Sequence, residues 1–392
     1  MSSSPQVSGD RIVEPSCHRS RGAEDAIRRL DEDGYVVLRG FLDGPLLSQA
    51  AAAVDRSMSD LSELGRFLSR PAAGHYQDLN RWIDNQSLQD LIHDERLVSL
   101  AADLLGTGTV HLLGDVLIAR SPDSPFALPW HIDDLAWPGD SSKNCSMWIP
   151  VDAAEASSGT LWFVPGSHRW STRLDSDSPG PHGGSDGRPL SERLDGLMGA
   201  AELEALQSLR GSRDDSSEWR GRMAMATTIL SLQLYGAHAL LPDGHVGFEG
   251  GAAIDRLIAS DDLPAECVEV AAGDVVVFDD RVVHRSGPNT DLRAWRRATC
   301  LRFTGGDSHY DPWPSHVPFP LDPELGPGAR FGGRLFPQVH PDPGGSVTGR
   351  SPVAGDTPQR VLDYMIGRSE DWIARLESRV AGRSDARRVE VV

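Results

Sequence analysis

The sequence is poor in cysteine and has no long apolar run. Its four cysteines, Cys17, Cys145, Cys267 and Cys300, form no CxxC pair. Their scatter argues against a disulfide framework or a structural zinc site and fits a reducing compartment. No segment approaches the roughly 18 apolar residues of a membrane-spanning helix. The N-terminal stretch MSSSPQVSGD lacks the apolar core of a signal peptide, so we expect a cytoplasmic protein.

Positive charge is also scarce. Lys and Arg number 38 against 57 Asp and Glu, which gives a formal net charge of -19. This balance does not favour a nucleic-acid or anionic-membrane surface, and we predict neither as a partner. Hydrophobic residues make up 39% of the 392 residues, enough to bury a sizeable core. A small molecule remains the expected partner, and the sequence does not indicate an oligomeric state.

The pattern along the chain predicts a tail followed by one large domain. Residues 1–22 are polar and rich in Ser, Pro and Arg, which indicates a flexible tail. Residues 23–392 are expected to form a single domain. A long insertion at about 171–262 interrupts it, beginning in a stretch rich in Ser, Asp, Gly and Pro. Apolar spacing at about 357–380 predicts a C-terminal helix.

Strand patterns dominate the centre of the chain. Runs rich in β-branched and aromatic residues predict strands at 35–42, 109–121, 146–154, 160–168, 267–287 and 296–306. Helical spacing appears before them, at 23–34, 46–61 and 88–106, the last as one helix or two. Many strands joined by short turns and preceded by helices predict a mainly β fold, a sandwich or barrel with a helical shell.

The stretch WHIDD, at 130–134, places a histidine and a carboxylate two residues apart. On a strand, His131 and Asp133 would face the same side. An isolated pair of this kind is more often a structural contact than a metal site. A second histidine, His284, ends the apolar run VVVFDDRVVH. Two histidines and one carboxylate form the facial triad that binds ferrous iron and leaves coordination positions open.

Basic and hydroxyl side chains follow this second histidine. Arg296 and Arg297 begin the next predicted strand about a dozen residues later. A buried guanidinium there could hold a carboxylate through two parallel hydrogen bonds. Neighbouring strand residues face opposite ways, so only one of the two can point inward, and we favour Arg296. Ser286 lies two residues after His284 and could donate to the same ligand.

Four segments, taken in order, resemble the phytanoyl-CoA dioxygenase family of Fe(II)/2-oxoglutarate-dependent oxygenases. They are DEDGYVVLRGFLD, WHID, SMWIPVDAAEASSGTLWFVPGSH and GDVVVFDDRVVHRSGPN followed by RRAT. Each segment is weak alone, but their joint order is specific, and they span most of residues 23–305. The resemblance implies a double-stranded β-helix core, also called a jelly-roll or cupin-like core, with helices packed outside one sheet.

The resemblance also implies roles for individual residues. The iron(II) ligands would be His131, Asp133 and His284, which would also be the catalytic residues. The 2-oxoglutarate site would be formed by Arg296, Ser286, Trp148 and, less specifically, Arg120. The implied reaction uses dioxygen, converts 2-oxoglutarate to succinate and CO2, and oxidises a substrate. The presence of Asp133 favours hydroxylation, desaturation, epimerisation or ring formation over halogenation, because related halogenases have a small residue at that position.

The substrate is less well indicated. Asp134, Trp137 and Trp313 are candidate substrate contacts, because loop aromatics near a barrel mouth commonly line a ligand site. The sequence shows no basic rim near the barrel mouth that would indicate a coenzyme A substrate. The long insertion predicts a lid for a small specialised metabolite. Two alternatives remain. One is a cupin-like metal enzyme that does not use 2-oxoglutarate, and the other is a non-catalytic ligand-binding protein on the same scaffold.

Overall fold

The structure, a computed structural model, describes a set of segments that together contain the predicted core. These are residues 12–13, 19–133, 137–139, 143–169, 255, 258–310 and 324–341. Asp134, Trp313, most of the predicted insertion and the predicted C-terminal helix lie outside the described residues. No helix within the described segments is long and apolar enough to cross a membrane.

The helices come mainly from the N-terminal part of the chain. They are α1 (Arg19–Asp33), α2 (Gly44–Ser59), α3 (Glu63–Leu68), α4 (Gln86–Ile92) and α5 (Glu95–Leu105). Side-chain caps fix their starts: Asp43, Asn85 and Asp94 each accept hydrogen bonds from backbone N–H groups in the first turn of α2, α4 and α5. The segment predicted as one helix or two is therefore two.

The strands of the described residues form two sheets. In chain order they are β1 (Ile12–Val13), β2 (Tyr35–Leu38), β3 (His75–Leu79), β4 (Val110–Arg120), β5 (Leu128–His131), β6 (Asn144–Pro150), β7 (Leu161–Phe163), β8 (Glu266–Val268), β9 (Val275–Phe278), β10 (His284–Ser286), β11 (Arg296–Gly305) and β12 (Gln338–His340). The larger sheet has the order β1-β2-β9-β6-β11-β4-β12, with β3 also paired to β4. The smaller sheet has the order β5-β10-β7-β8. All pairs are antiparallel except β1 with β2.

The larger sheet lies between the helices and the smaller sheet. Strands β2, β6 and β9 are buried at every position, as expected for strands covered on both faces. On the outer face, Arg297 of β11 is ion-paired to Asp55 of α2. On the inner face, Arg302 of the same strand is ion-paired to Asp133 at the end of β5. The result is a jelly-roll with a helical shell, which confirms the fold that the sequence predicts.

Candidate active site

Two strands of the smaller sheet bring the predicted histidines together. His131 is the last residue of β5 and His284 is the first residue of β10. Their Cα atoms are direct partners in the antiparallel register, so both side chains face the same side of the sheet. The centroids of the two imidazole rings are 4.2 Å apart. Pairing of the two strands thus places residues 153 positions apart in sequence side by side.

The Asp133 carboxylate lies against both imidazoles. The distance from His131 Nε2 to Asp133 Oδ1 is 3.6 Å, and that from His284 Nε2 to Asp133 Oδ2 is also 3.6 Å. One potential ligand atom from each of the three residues lies within 4.8 Å of the others. The three side chains could therefore form an iron-binding triad.

Backbone carbonyls fix the orientation of both imidazoles. His131 Nδ1 donates to the carbonyl of Pro129 at 2.8 Å. His284 Nδ1 donates to the carbonyl of Val282 at 2.9 Å. Because a carbonyl can only accept, the proton of each neutral ring is on Nδ1 and Nε2 carries a lone pair. Nε2 is also the atom that faces Asp133, which is the arrangement of metal-binding histidines.

The protonation states also suit a cation. Burial lowers the pKa of His284 to about 3, with a further contribution from the adjacent His131. Burial alone would raise the pKa of Asp133, but the Arg302 guanidinium and the two histidines lower it well below its usual range. At neutral pH the site therefore presents a neutral His284 imidazole and an ionised carboxylate, the forms that bind metal ions.

A buried polar network behind Asp133 was not identified from the sequence. It contains Arg302, Asp280, Ser146 and Asn144, all of which are buried. Arg302 bonds both Asp133 and Asp280. A signal for Arg302 was present, because it is six residues after Arg296 and an even spacing places both on one face of a strand. Asp280 and Ser146 gave no comparable signal.

Two arginines form a second site on the inner face of the larger sheet. Arg296 and Arg120 are direct Cα partners on β11 and β4, and both are almost completely buried. Arg296 donates to the Gly159 carbonyl from Nε and Nη2, at 3.1 and 2.9 Å. Arg120 donates to Ser286 Oγ at 2.7 Å and to the carbonyls of Gly159 and Gly287. Arg120 thereby connects the larger sheet to β10 of the smaller one.

Neither guanidinium has a carboxylate partner among the described residues, and each has a buried N–H group without an acceptor there. Arg296 Nη1, Arg120 Nε and the indole Nε1 of Trp148 are buried without a hydrogen-bond acceptor in the described part of the chain. Trp148 lies beside Arg296, with the guanidinium carbon 5.5 Å from the ring centroid. Burial lowers the pKa of Arg296, and Arg120 lowers it further. Burial lowers the pKa of Arg120 to about 10. An anionic ligand would relieve both effects, so the pocket fits a carboxylate.

Arg297 faces the opposite side of β11 from Arg296. Its Nε and Nη2 atoms each lie 2.8 Å from an oxygen of Asp152, and Nη1 bonds Asp55. The guanidinium is therefore already paired with two carboxylates outside the barrel. The alternation of strand side chains accounts for the difference between these adjacent residues.

Of the three predicted substrate contacts, Trp137 alone lies among the described residues. Its side chain is buried, 2% exposed, rather than open at a barrel mouth. The Arg302 guanidinium carbon lies 4.9 Å from its ring centroid. A Cβ atom at Gly114 would come within 2.8 Å of the indole, so the absence of a side chain there gives the ring its space. Trp137 thus packs in the hydrophobic core and against Arg302 of the network behind Asp133.

The solved structures that share this fold include an epimerase and a carbocyclase. The epimerase SnoN, crystallised with Fe3+, alpha ketoglutarate and nogalamycin RO, is 17% identical, with a TM-score of 0.54 over 82% of this chain and 100% of that one. The carbocyclase SnoK from nogalamycin biosynthesis is 19% identical, with a TM-score of 0.51 over 81% of this chain and 98% of that one. No curated protein matches the sequence significantly. The sequence profile of one family, described as phytanoyl-CoA dioxygenase (PhyH), matches residues 30–298, more than half of the chain. The chain belongs to the phytanoyl-CoA dioxygenase (PhyH) family.

Proposed function

We propose that the protein is a non-haem iron(II)/2-oxoglutarate-dependent oxygenase that hydroxylates a small specialised metabolite. The observation that carries this proposal is the triad of His131, Asp133 and His284 in the same barrel as a buried pair of arginines that lacks a carboxylate partner in the described segments. The triad alone, or the arginine pair alone, is compatible with a purely structural role. Together they match the two needs of the reaction, a ferrous ion with open positions and a dicarboxylate held beside it.

Each group of residues has a distinct task in this proposal. His131, Asp133 and His284 hold the iron. Arg296 binds the distal carboxylate of 2-oxoglutarate, and Arg120 and Ser286 complete that end of the pocket. Bound iron supplies the redox chemistry, in which dioxygen oxidises 2-oxoglutarate to succinate and CO2 and places its other oxygen atom on the substrate. The buried rings of Phe278, beside His284, and of Trp148, beside Arg296, would exclude water from the iron site and from the 2-oxoglutarate site.

A small specialised metabolite is the proposed substrate class. Support comes from the epimerase and the carbocyclase named above, both of which come from nogalamycin biosynthesis. Hydroxylation is proposed over epimerisation or ring closure because transfer of one oxygen atom to a substrate carbon would need no further group from the protein. Asp134, Trp137 and Trp313 remain predicted substrate contacts, and the insertion at about 171–262 remains a predicted lid.

The two alternative functions make different demands on the pocket. A cupin-like metal enzyme without 2-oxoglutarate has no use for two buried, carboxylate-free arginines, which are costly to desolvate. A non-catalytic binding protein has no need of a triad whose two Nε2 atoms and carboxylate face one another. The geometry therefore favours the oxygenase over both.

Anaerobic absorption spectroscopy tests the proposal. Iron(II) and then 2-oxoglutarate are added to the metal-free protein, and a weak visible metal-to-ligand charge-transfer band is expected. The band should be absent in His131→Ala, and Arg296→Ala should need much more 2-oxoglutarate to form it. Arg297→Ala is the matched control, because it removes an arginine from the outer face of the same strand. Iron binding without a band in the wild type would eliminate the 2-oxoglutarate function and favour the cupin-like alternative.

A further inference from the structure

We infer that Arg302 is a positioning residue that holds the Asp133 carboxylate in the orientation needed for metal binding. The inference rests on the proposed function, since it assigns a role toward the same iron. Arg302 lies outside the triad and outside the oxoacid pocket. Its contacts, its burial and the strand that carries it each support this role.

Arg302 uses its two terminal nitrogens to connect two buried carboxylates. Nη2 donates to Asp133 Oδ2 at 2.6 Å. Nη1 donates to Asp280 Oδ1 at 3.1 Å and also to the Ser146 hydroxyl. A guanidinium is planar, so fixing one end of this fork at Asp280 also fixes the direction of the donor that reaches Asp133.

Asp280, the second carboxylate that Arg302 contacts, is itself held by several hydrogen bonds. Asp280 is fully buried and accepts a hydrogen bond from Ser146 Oγ at 2.5 Å and another from Asn144 Nδ2 at 3.3 Å. Its backbone carbonyl accepts the N–H of Asp133 at 2.8 Å. Asp280 therefore fixes Asp133 twice, once through the backbone and once through Arg302.

Charge and exposure make this contact strong. Arg302 is 6% exposed and Asp133 is 8% exposed, so water does not screen the pair as it would at the surface. The face of the guanidinium is covered by Trp137, whose ring centroid is 4.9 Å from Cζ. The hydrogen-bonding groups of Arg302 and Asp133 are therefore shielded from water and keep one arrangement.

The strand that carries Arg302 explains why such a residue is needed. The histidines belong to the smaller sheet, whereas Asp133 comes after β5 ends and makes no ladder pairing of its own. Arg302 lies within β11, in register with Ser146 of β6 and Gly114 of β4, immediately before an irregularity in the pairing of β11 with β4. A strand of the larger sheet that is paired on both sides thus supplies the support that the end of β5 lacks.

The hydrogen bond from Arg302 also makes the two oxygens of the Asp133 carboxylate inequivalent. Oδ2 accepts from Arg302 and lies 3.6 Å from His284 Nε2, while Oδ1 lies 3.6 Å from His131 Nε2. Occupation of Oδ2 favours metal binding through a single oxygen of Asp133. The positive charge of Arg302 also withdraws electron density from that carboxylate, which tunes the ligand as well as orienting it.

Titration with cobalt(II), a spectroscopic substitute for iron(II), tests this role without turnover. The visible absorption of bound cobalt gives the dissociation constant and reports the ligand geometry. Arg302→Gln is expected to raise the dissociation constant about 10- to 100-fold, the usual cost of losing a hydrogen bond behind a metal ligand, and to change the spectrum. Arg302→Lys keeps the charge without the fork, so it should recover part of the loss. Arg297→Gln, on the outer face of the same strand, should bind cobalt as the wild type does.

A double variant separates positioning from a purely structural role. Arg302→Gln leaves Asp280 buried without its cation, which alone can destabilise the fold. Arg302→Gln combined with Asp280→Asn removes both charges and should recover much of the lost unfolding temperature, but it should still bind cobalt weakly. Recovery of wild-type cobalt affinity in the double variant would overturn the inference.

The remaining outcomes distinguish this inference from the proposed function. Wild-type protein that binds neither cobalt(II) nor iron(II) would overturn both. Wild-type binding and a normal charge-transfer band, with the same dissociation constant and spectrum in both single Arg302 variants, would overturn the positioning role alone.

Discussion

Arg296 and Arg120 are direct cross-strand neighbours whose guanidiniums both donate to the single carbonyl of Gly159. Like charges placed side by side in a buried pocket repel each other. Their only acceptors in the described part of the chain are neutral oxygens. The folded protein therefore carries an unfavourable charge pair that a dicarboxylate ligand would neutralise.

The first prediction is that a dicarboxylate stabilises the metal-free protein. Glutarate, which matches 2-oxoglutarate without its chelating oxo group, should raise the unfolding temperature by binding this arginine pair. A ligand at about 100 times its dissociation constant contributes roughly 2.7 kcal/mol. Pentanoate has one carboxylate fewer and should give a smaller shift. Scanning calorimetry of the wild type, Arg296→Met and Arg297→Met measures this, and equal shifts in all three proteins would contradict the assignment.

The second prediction concerns the glycine that presents this carbonyl. Gly159 has φ +80, and a Cβ there would lie 2.5 Å from the Gly287 carbonyl oxygen and 2.8 Å from Arg120 Nη1. Gly159→Ala should therefore lower the free energy of unfolding by more than the roughly 1–2 kcal/mol of the left-handed conformation alone, and should weaken glutarate binding. Gly332→Ala is the control, because a Cβ there meets no atom within 4 Å. Chemical denaturation and calorimetry of both variants provide the comparison.

The third prediction is a pH dependence of stability that arises at Asp115, whose hydrogen-bond partners are the backbone N–H groups of Arg81 and Trp82. Burial raises the pKa of Asp115 to about 7, above the value of about 3.9 for an unfolded chain. The folded state therefore holds a proton that the unfolded state releases between these two values, so the contribution of Asp115 to stability falls as the pH rises from about 4 to about 7. In Asp115→Asn this contribution is absent, and the decline between about pH 5 and pH 7 should be shallower. Urea denaturation of both proteins at each pH measures the slopes; parallel curves would contradict the prediction.

The fourth prediction concerns Trp137. Since the indole is buried beside Gly114 and Arg302, Trp137→Ala should lower the free energy of unfolding by about 3–5 kcal/mol, as for other buried tryptophans. Trp295 is only partly buried, and its replacement by Ala should cost less. Thermal and chemical denaturation compare the two variants. A cost for Trp137 no larger than that for Trp295 would show that the ring is not part of the packed core.

Much of the fold was predictable because many of its strands are continuous apolar runs in the sequence. Runs such as VVVF at 275–278 are covered on both faces, and continuous apolar residues are the direct consequence of that burial. Strand β3, with the sequence HYQDL, was not predicted. Its polar residues carry specific partners, such as the Ser62 hydroxyl that donates to Asp78 and the Phe126 ring stacked on His75. Such partners come from distant parts of the chain and leave no local pattern.

The candidate site was predictable in its metal-binding side chains but not in the groups that support them. The spacing of His131 and Asp133, the place of His284 at the end of an apolar strand and the family resemblance together identified the three residues that the structure brings within metal-binding distance. The Gly159 carbonyl could not be found this way, because backbone groups have no residue signature. Arg302 could have been found from its even spacing to Arg296, but its partners Asp133 and Asp280 are 169 and 22 residues away. Only the register of the two sheets places these groups together.

The division of the triad between two sheets has a consequence for dynamics. His131 and His284 are held by the smaller sheet, while Asp133 is fixed through Arg302 to the larger one. A bound ion would therefore act as a crosslink between the halves of the barrel. Metal binding should slow amide hydrogen exchange in β5 and β10 and, through Arg302, in the middle of β11.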